Sequence, residues 1–242
     1  MASKIFFITG NEQTANIGSL LENLLYFKKT NNDNVLFIDY KDSFFLASAK
    51  KEQGRVSCFE YYPAKEITRL NLEKLVKETK ASELVKQELG FSSFFIYGDI
   101  TAVPQSVLNK TDYLFFLLKN DHYSAGYLYN NLKYLKQKKL AWRGGIVSCG
   151  FQLIEEAASF YLKIKNETEK LLNDILKLDF WGFYFLDLAQ YTFAQKKSAP
   201  LLKIFPESAT KGLIDYINTK LNELEDFEHD DSLLLCLKKK SD

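Results

Sequence analysis

The stretch with the most chemical promise is "ITGNEQTANIGSLLENLL", residues 8–25, which ends a strand, crosses a short polar loop and enters a leucine-faced helix. In open parallel sheets, ligands bind beyond the carboxyl ends of the strands, and the first such junction commonly meets a phosphate at a helix N-terminus. A working phosphate loop needs glycines so that backbone N–H groups converge, a lysine for the β- and γ-phosphates, and a Ser or Thr on the metal. Gly10, Gly18 and Ser19 are present, but no lysine is. The next cation along the helix is Lys28, about 16 Å beyond Ile17 at 1.5 Å per residue, a gap its side chain does not bridge. Lys4 precedes the strand. Glu12 adds a carboxylate, which at about 5 Å from a phosphate and an effective dielectric near 20 would repel it by roughly 3 kcal/mol. Residues 10–16 therefore read as an ordinary polar connection rather than an ATP cradle.

Other chemistry is thinner. Ser148 and Cys149 follow an apolar strand, where a nucleophile is conceivable with His122 as its base. Nothing in the sequence brings these residues together, and a buried structural cysteine is the more economical reading. His229 lies in an acidic stretch and reads as a solvated side chain. Cys58, Cys149 and Cys236 are odd in number, far apart and in no metal-ligand spacing with either histidine. The expectation is a reduced, cytoplasmic protein with no metal, no cofactor and no catalytic residue.

The elements that must position these residues are legible as period. "KIFFIT", "NVLFIDY", "SSFFIYGD", "DYLFFLL", "GGIVSCGF" and "FWGFYFLD" are continuously apolar, as strands covered on both faces are. Between them run helical patterns: Leu20, Leu21, Leu24, Leu25; Leu72, Leu75, Val76, Thr79; Leu128, Leu132, Leu135; Ala157, Tyr161, Ile164, Thr168, Leu171, Ile175; and Leu213, Ile214, Ile217, Leu221, Leu224. Strand and helix alternate, which predicts right-handed crossovers and an α/β, three-layer, doubly wound and mostly parallel sheet flanked by helices, of the P-loop NTPase type. With 242 residues and an apolar share of 46%, one large domain is the economical reading. It covers residues 1–224, with an acidic then apolar-basic tail at 225–242.

The blocks and their order resemble the MinD/ParA/FlhG family of deviant Walker ATPases over nearly the whole length. The first strand and helix look like "FFITGNEQTANIGSLLENL", with Asn23-Leu24 matching the family's Asn-Leu; "NVLFIDYKD" resembles its second strand and "SSFFIYGDITAVPQSVL" its Walker B strand. The most specific match is "WGFYFLDLAQYTFAQKKSAPLLKIFPESATKGLIDYINTKL", similar to the closing section. Counting back from Asn23-Leu24, the resemblance puts Ile17 at the Walker lysine, Gly18 at the metal-binding Ser/Thr, Asn16 at the preceding glycine and Glu12 at the additional signature lysine. Ser19 becomes a metal ligand only if the register shifts by one. Asp39 and Asp99 match the family's aspartates, each also readable as a helix cap or an acceptor of loop N–H bonds; Ser148-Cys149 stands where an adenine-reading Asn-Arg pair is usual. Gly10, Asn11, Glu12, Asn16, Ile17, Gly18, Ser19, Asp39 and Asp99 are thus a vestigial nucleotide site.

The resemblance implies a pseudo-ATPase that acts through its surface, as a scaffold or as the partner of an active MinD/FlhG-type relative or of a second copy, in flagellar or division-site positioning. Tyrosines on helices and loops beside lysines suit such a surface. The competing expectations are an ATP-binding enzyme, including the dethiobiotin synthetases that "FFITGNEQ" also resembles, and a partition-type DNA-associated protein. A net charge of +1 supplies little drive toward nucleic acid. The tail "SLLLCLKKK" resembles a membrane-targeting segment, but its lysines follow the apolar run instead of lining one helix face, so membrane contact is not the leading expectation.

Overall fold

The computed structural model describes residues 4–10, 15–31, 35–39, 55–56, 59–63, 93–119, 121–138, 140, 142–150, 153–172 and 176–225. The expected helix around Leu72–Thr79 and the tail beyond Glu225 lie outside the described residues, as do Asn11, Glu12 and His229.

One sheet organises the chain. Its strands are β1 (Lys4–Gly10), β2 (Val35–Asp39), β3 (Arg55–Val56), β4 (Phe59–Pro63), β5 (Ser93–Tyr97), β6 (Tyr113–Lys119), β7 (Trp142–Cys149) and β8 (Leu176–Tyr184). They lie in the order β3-β4-β2-β5-β1-β6-β7-β8. Every neighbouring pair is parallel except β3 with β4. The helices are α1 (Ala15–Thr30), α2 (Gln105–Leu108), α3 (His122–Gln137), α4 (Ile154–Leu172), α5 (Leu188–Lys196), α6 (Leu201–Ile204) and α7 (Ala209–Glu225).

The continuously apolar strands are explained by two cores, one on each face. Phe6, Ile8, Phe95, Phe115 and Trp181 point to the side covered by α1 and α7, with Ile17, Leu21 and Leu25 from the first helix and Ile214, Ile217 and Leu221 from the last. Ile5, Phe7, Phe94, Ile96 and Phe116 point the other way, onto Leu128, Leu132 and Leu135 of α3 and Ile164 of α4. Each helical pattern that falls on described residues thus supplies a core face. In mid-β7 a methyl group on Gly145 would come within 2.0 Å of the Trp181 ring, so the indole fits only against a residue without a side chain. Trp181 in turn meets Phe115 edge-on, ring centroids 4.7 Å apart, an arrangement aromatic quadrupoles favour.

Candidate functional site

The carboxyl ends of β1, β2, β5, β6, β7 and β8 form one edge, and the predicted site residues with described positions sit along it or one turn inside it. Gly10 ends β1 in register with Leu117 of β6. A methyl group on Gly10 would lie 2.9 Å from the Leu117 carbonyl oxygen and 3.3 Å from Ile17 Cδ1. This glycine therefore lets β1 and the start of α1 close against β6. Ile17 is fully buried in the core with Ile8, Leu20 and Leu21, so the position matched to the Walker lysine is occupied by a core side chain. Gly18 is partly exposed beside it.

Ser19 is also turned inward. Its hydroxyl shares a 2.8 Å hydrogen bond with the Tyr184 hydroxyl at the end of β8. Asn23 Nδ2 donates to the Ser19 carbonyl at 2.7 Å, while Asn23 Oδ1 accepts the Leu202 N–H of α6 at 2.8 Å. Asn23 is fully buried. The Asn of the Asn-Leu signature thus stitches α1 to the closing section, and the serine that a shifted register would place on a metal is committed to a tyrosine. Burial, opposed by its bonds to Ser19 and Thr210, pushes the Tyr184 hydroxyl up to about 12.

On the opposite face, Tyr127 of α3 reaches the ends of β1 and β5. Its hydroxyl donates to Asp99 Oδ1 at 3.1 Å and is hydrogen-bonded to Thr9 Oγ1. Since the tyrosine O–H is directed at Asp99, Thr9 is the donor to Tyr127. The N-cap of α2 is Pro104 rather than Asp99, and the Asp99 carboxylate accepts from Tyr127 instead. Asp39 is fully buried at the end of β2, in register with Tyr97. Burial raises the Tyr97 hydroxyl well above its ordinary value, with Tyr127, Asp39 and Asp99 adding to the effect. Tyr127 is raised by burial first as well.

The structure brings one cation to this edge that neither the helix nor the strand start pointed to. Gly150, with φ +80°, follows β7, and a methyl group there would lie 3.1 Å from Asn16 Nδ2 and 3.9 Å from Lys119 Cγ. Lys119 ends β6, and its Nζ is 3.9 Å from Asp121 Oδ2. Asp121 itself caps α3 by accepting the Ser124 N–H at 2.8 Å. Lys4 stands at the opposite edge, its Nζ over the Tyr113 ring, and Lys28 is buried. Lys119 was hidden because its neighbour Asn16 is 103 residues away by number. Thr9, Tyr127 and Tyr184 were missed for the same reason.

Cys149 is fully buried, and burial pushes its thiol up to about 12. At neutral pH it is a protonated core group rather than a nucleophile. Ser148 is fully buried beside it. Among the described residues no three His, Cys, Asp or Glu side chains cluster as metal ligands, and no helix is long and apolar enough to cross a membrane.

No family model matches the chain, and no curated protein matches it. Its likenesses are to solved structures. MinD of Pyrococcus horikoshii, solved with Mg-ADP, shares 11% identity over 93% of this chain and 98% of its own, with a TM-score of 0.64. MinD of Aquifex aeolicus in its MinC complex shares 13% over 91% and 96%, at 0.61. The pNOB8 ParA bound to nonspecific DNA shares 11% over 93% and 100%, at 0.60. The order of strands, the α1 junction and these likenesses agree, and the chain has the MinD/ParA-like α/β fold.

Proposed function

We propose that the chain is a non-catalytic, MinD/FlhG-like pseudo-ATPase that works as a protein-interaction scaffold or regulator. The process it serves, on this reading, is the positioning or number control of a polar machine such as the flagellum or the division apparatus. Ile17 carries the proposal: at the position that the resemblance matches to the Walker lysine, the side chain is fully buried in the core. Gly18 stands at the metal-binding position of that register, and Ser19, which would take the place only in a register shifted by one, is tied to Tyr184. Support for a protein partner comes from the likeness to a MinD solved in complex with MinC. The partner would be an active relative of this fold or a second copy of the chain, met in the cytoplasm.

The test is calorimetric titration of the full chain with ATP and magnesium. No saturable heat is expected, and binding at micromolar concentration overturns the reading. One observation favours a second one: Lys119 and Asn16 both flank Gly150, so a phosphate at the helix start would be met by a lysine from β6. The likeness to a MinD that holds Mg-ADP points the same way. If ATP binds and Lys119→Ala abolishes the heat, the nucleotide-binding reading replaces the scaffold.

A further inference from the structure

Helix α5 carries more apolar surface than the core uses. Tyr191 packs on the core beneath it, joined by Leu186 from just before the helix, and Ala194 is buried. Leu188 and Phe193 are nevertheless 68% and 46% exposed, and Phe185, at the strand end just before the helix, is 50% exposed. Leu188, Ala189, Thr192, Phe193 and Lys196 follow a helical spacing that gathers them on one side, and all five are exposed. Lys197 Nζ lies 5.7 Å from the centroid of the Phe193 ring. Phe205 meets Phe193 edge-on at 5.8 Å, two residues after the exposed Lys203.

Over residues 185–211 the only carboxylates are Asp187 and Glu207, and both are engaged. Asp187 accepts the N–H groups of Ala189 and Gln190 at 2.9 and 3.0 Å. Glu207 pairs with Lys211 at 3.6 Å. The face thus combines an apolar stripe with the three cations Lys196, Lys197 and Lys203.

We infer that this face of α5 is a docking surface for an acidic amphipathic helix of a protein partner. Apolar anchors spaced three and four apart on that helix seat against Phe185, Leu188 and Phe193, and its flanking Asp and Glu side chains meet the three lysines. The inference rests on the reading that the chain acts through protein partners. A lipid surface fits less well, because a nine-residue helix with two large outward apolar side chains, Leu188 and Phe193, is a single weak membrane signal where stable anchoring takes two.

The experiment is a random peptide-display selection on the full chain, counter-selected against the doubly substituted Leu188→Ser/Phe193→Ser chain, with circular dichroism confirming that each variant is folded. Selected peptides should be enriched in Asp and Glu around apolar residues spaced three or four apart. Lys196→Glu/Lys197→Glu/Lys203→Glu should weaken them at least about tenfold and favour their lysine-substituted counterparts. Winners without acidic enrichment, or winners unaffected by the charge reversal, overturn the inference. So does sedimentation with phosphatidylglycerol vesicles that Leu188→Ser/Phe193→Ser abolishes. ATP binding by the same preparation would overturn the scaffold reading separately, leaving the peptide result to stand or fall alone.

Discussion

Two strand-to-helix junctions on the same edge of the sheet have opposite habits. At β1–α1 two described side chains are drawn inward: Ile17 joins the core and Ser19 bonds Tyr184. At β8–α5 the first helical N–H groups are satisfied by the chain's own Asp187, while Phe185, Leu188 and Phe193 remain outside. On the proposed reading, the first junction is structural and the adhesive surface lies at the last. Substitutions at the first should therefore cost stability, and substitutions at the last should cost recognition.

The strongest way to break this contrast is Ile17→Lys. If the position were a dormant phosphate contact, restoring the cation would restore ATP binding. We expect instead a loss of about 4 kcal/mol or more, from an amine forced among Ile8, Leu20 and Leu21, read as a lower urea midpoint with no ATP heat. Asn23→Ala should come next, at roughly 2–3 kcal/mol, because it leaves the buried Leu202 N–H without its acceptor. The same urea series shows whether the loss is smaller, in which case α1 and α6 are not tied there.

Alkaline pH probes the inward-turned groups together. Tyr184 and Cys149 are both raised to about 12 in the folded chain, so the folded state holds protons that the unfolded state releases. Their contribution is complete below the ordinary tyrosine and cysteine values and is lost as pH rises toward 12. Urea midpoints should not move on their account near neutrality. Above about pH 9 they should fall, by up to about 1.4 kcal/mol per pH unit for each group; Tyr184→Phe should flatten part of that limb. Tyr127→Phe, which frees Asp99 and Thr9 of one hydroxyl, should cost about 1–2 kcal/mol. The smallest effect sharpens the contrast most: Leu188→Ser should change stability by under about 0.5 kcal/mol and Phe193→Ser, which also gives up its edge-on contact with Phe205, by about 1 kcal/mol, while both weaken any peptide selected on α5.

How much of this was open to inspection before the fold was known depended on distance along the chain. Leu128, Leu132 and Leu135 announce α3 because their spacing repeats within one helix, and "FFIY" announces a doubly covered strand because both of its faces are apolar. The inward turn of the β1–α1 junction was half visible, since the missing lysine is a local fact. Its partners were not. Ser19 meets Tyr184 across 165 positions and Thr9 meets Tyr127 across 118, and nothing in either neighbourhood names the other. Lys119 escaped notice for the same reason: a lysine at a strand end reads as solvated until the fold sets Gly150 and Asn16 beside it. The aspartates were visible as strand endings, but Asp99's bond to a tyrosine rather than to a helix start was not.

Trp181 offers a practical dividend. Its indole is enclosed between Gly145 and Phe115, on the strand whose end holds Ser19. Because the chain has two tryptophans, replacing Trp142 with phenylalanine would leave a single intrinsic fluorophore under the middle of the sheet. A red shift of its emission would then time, in a stopped-flow trace, the moment at which that layer first admits solvent.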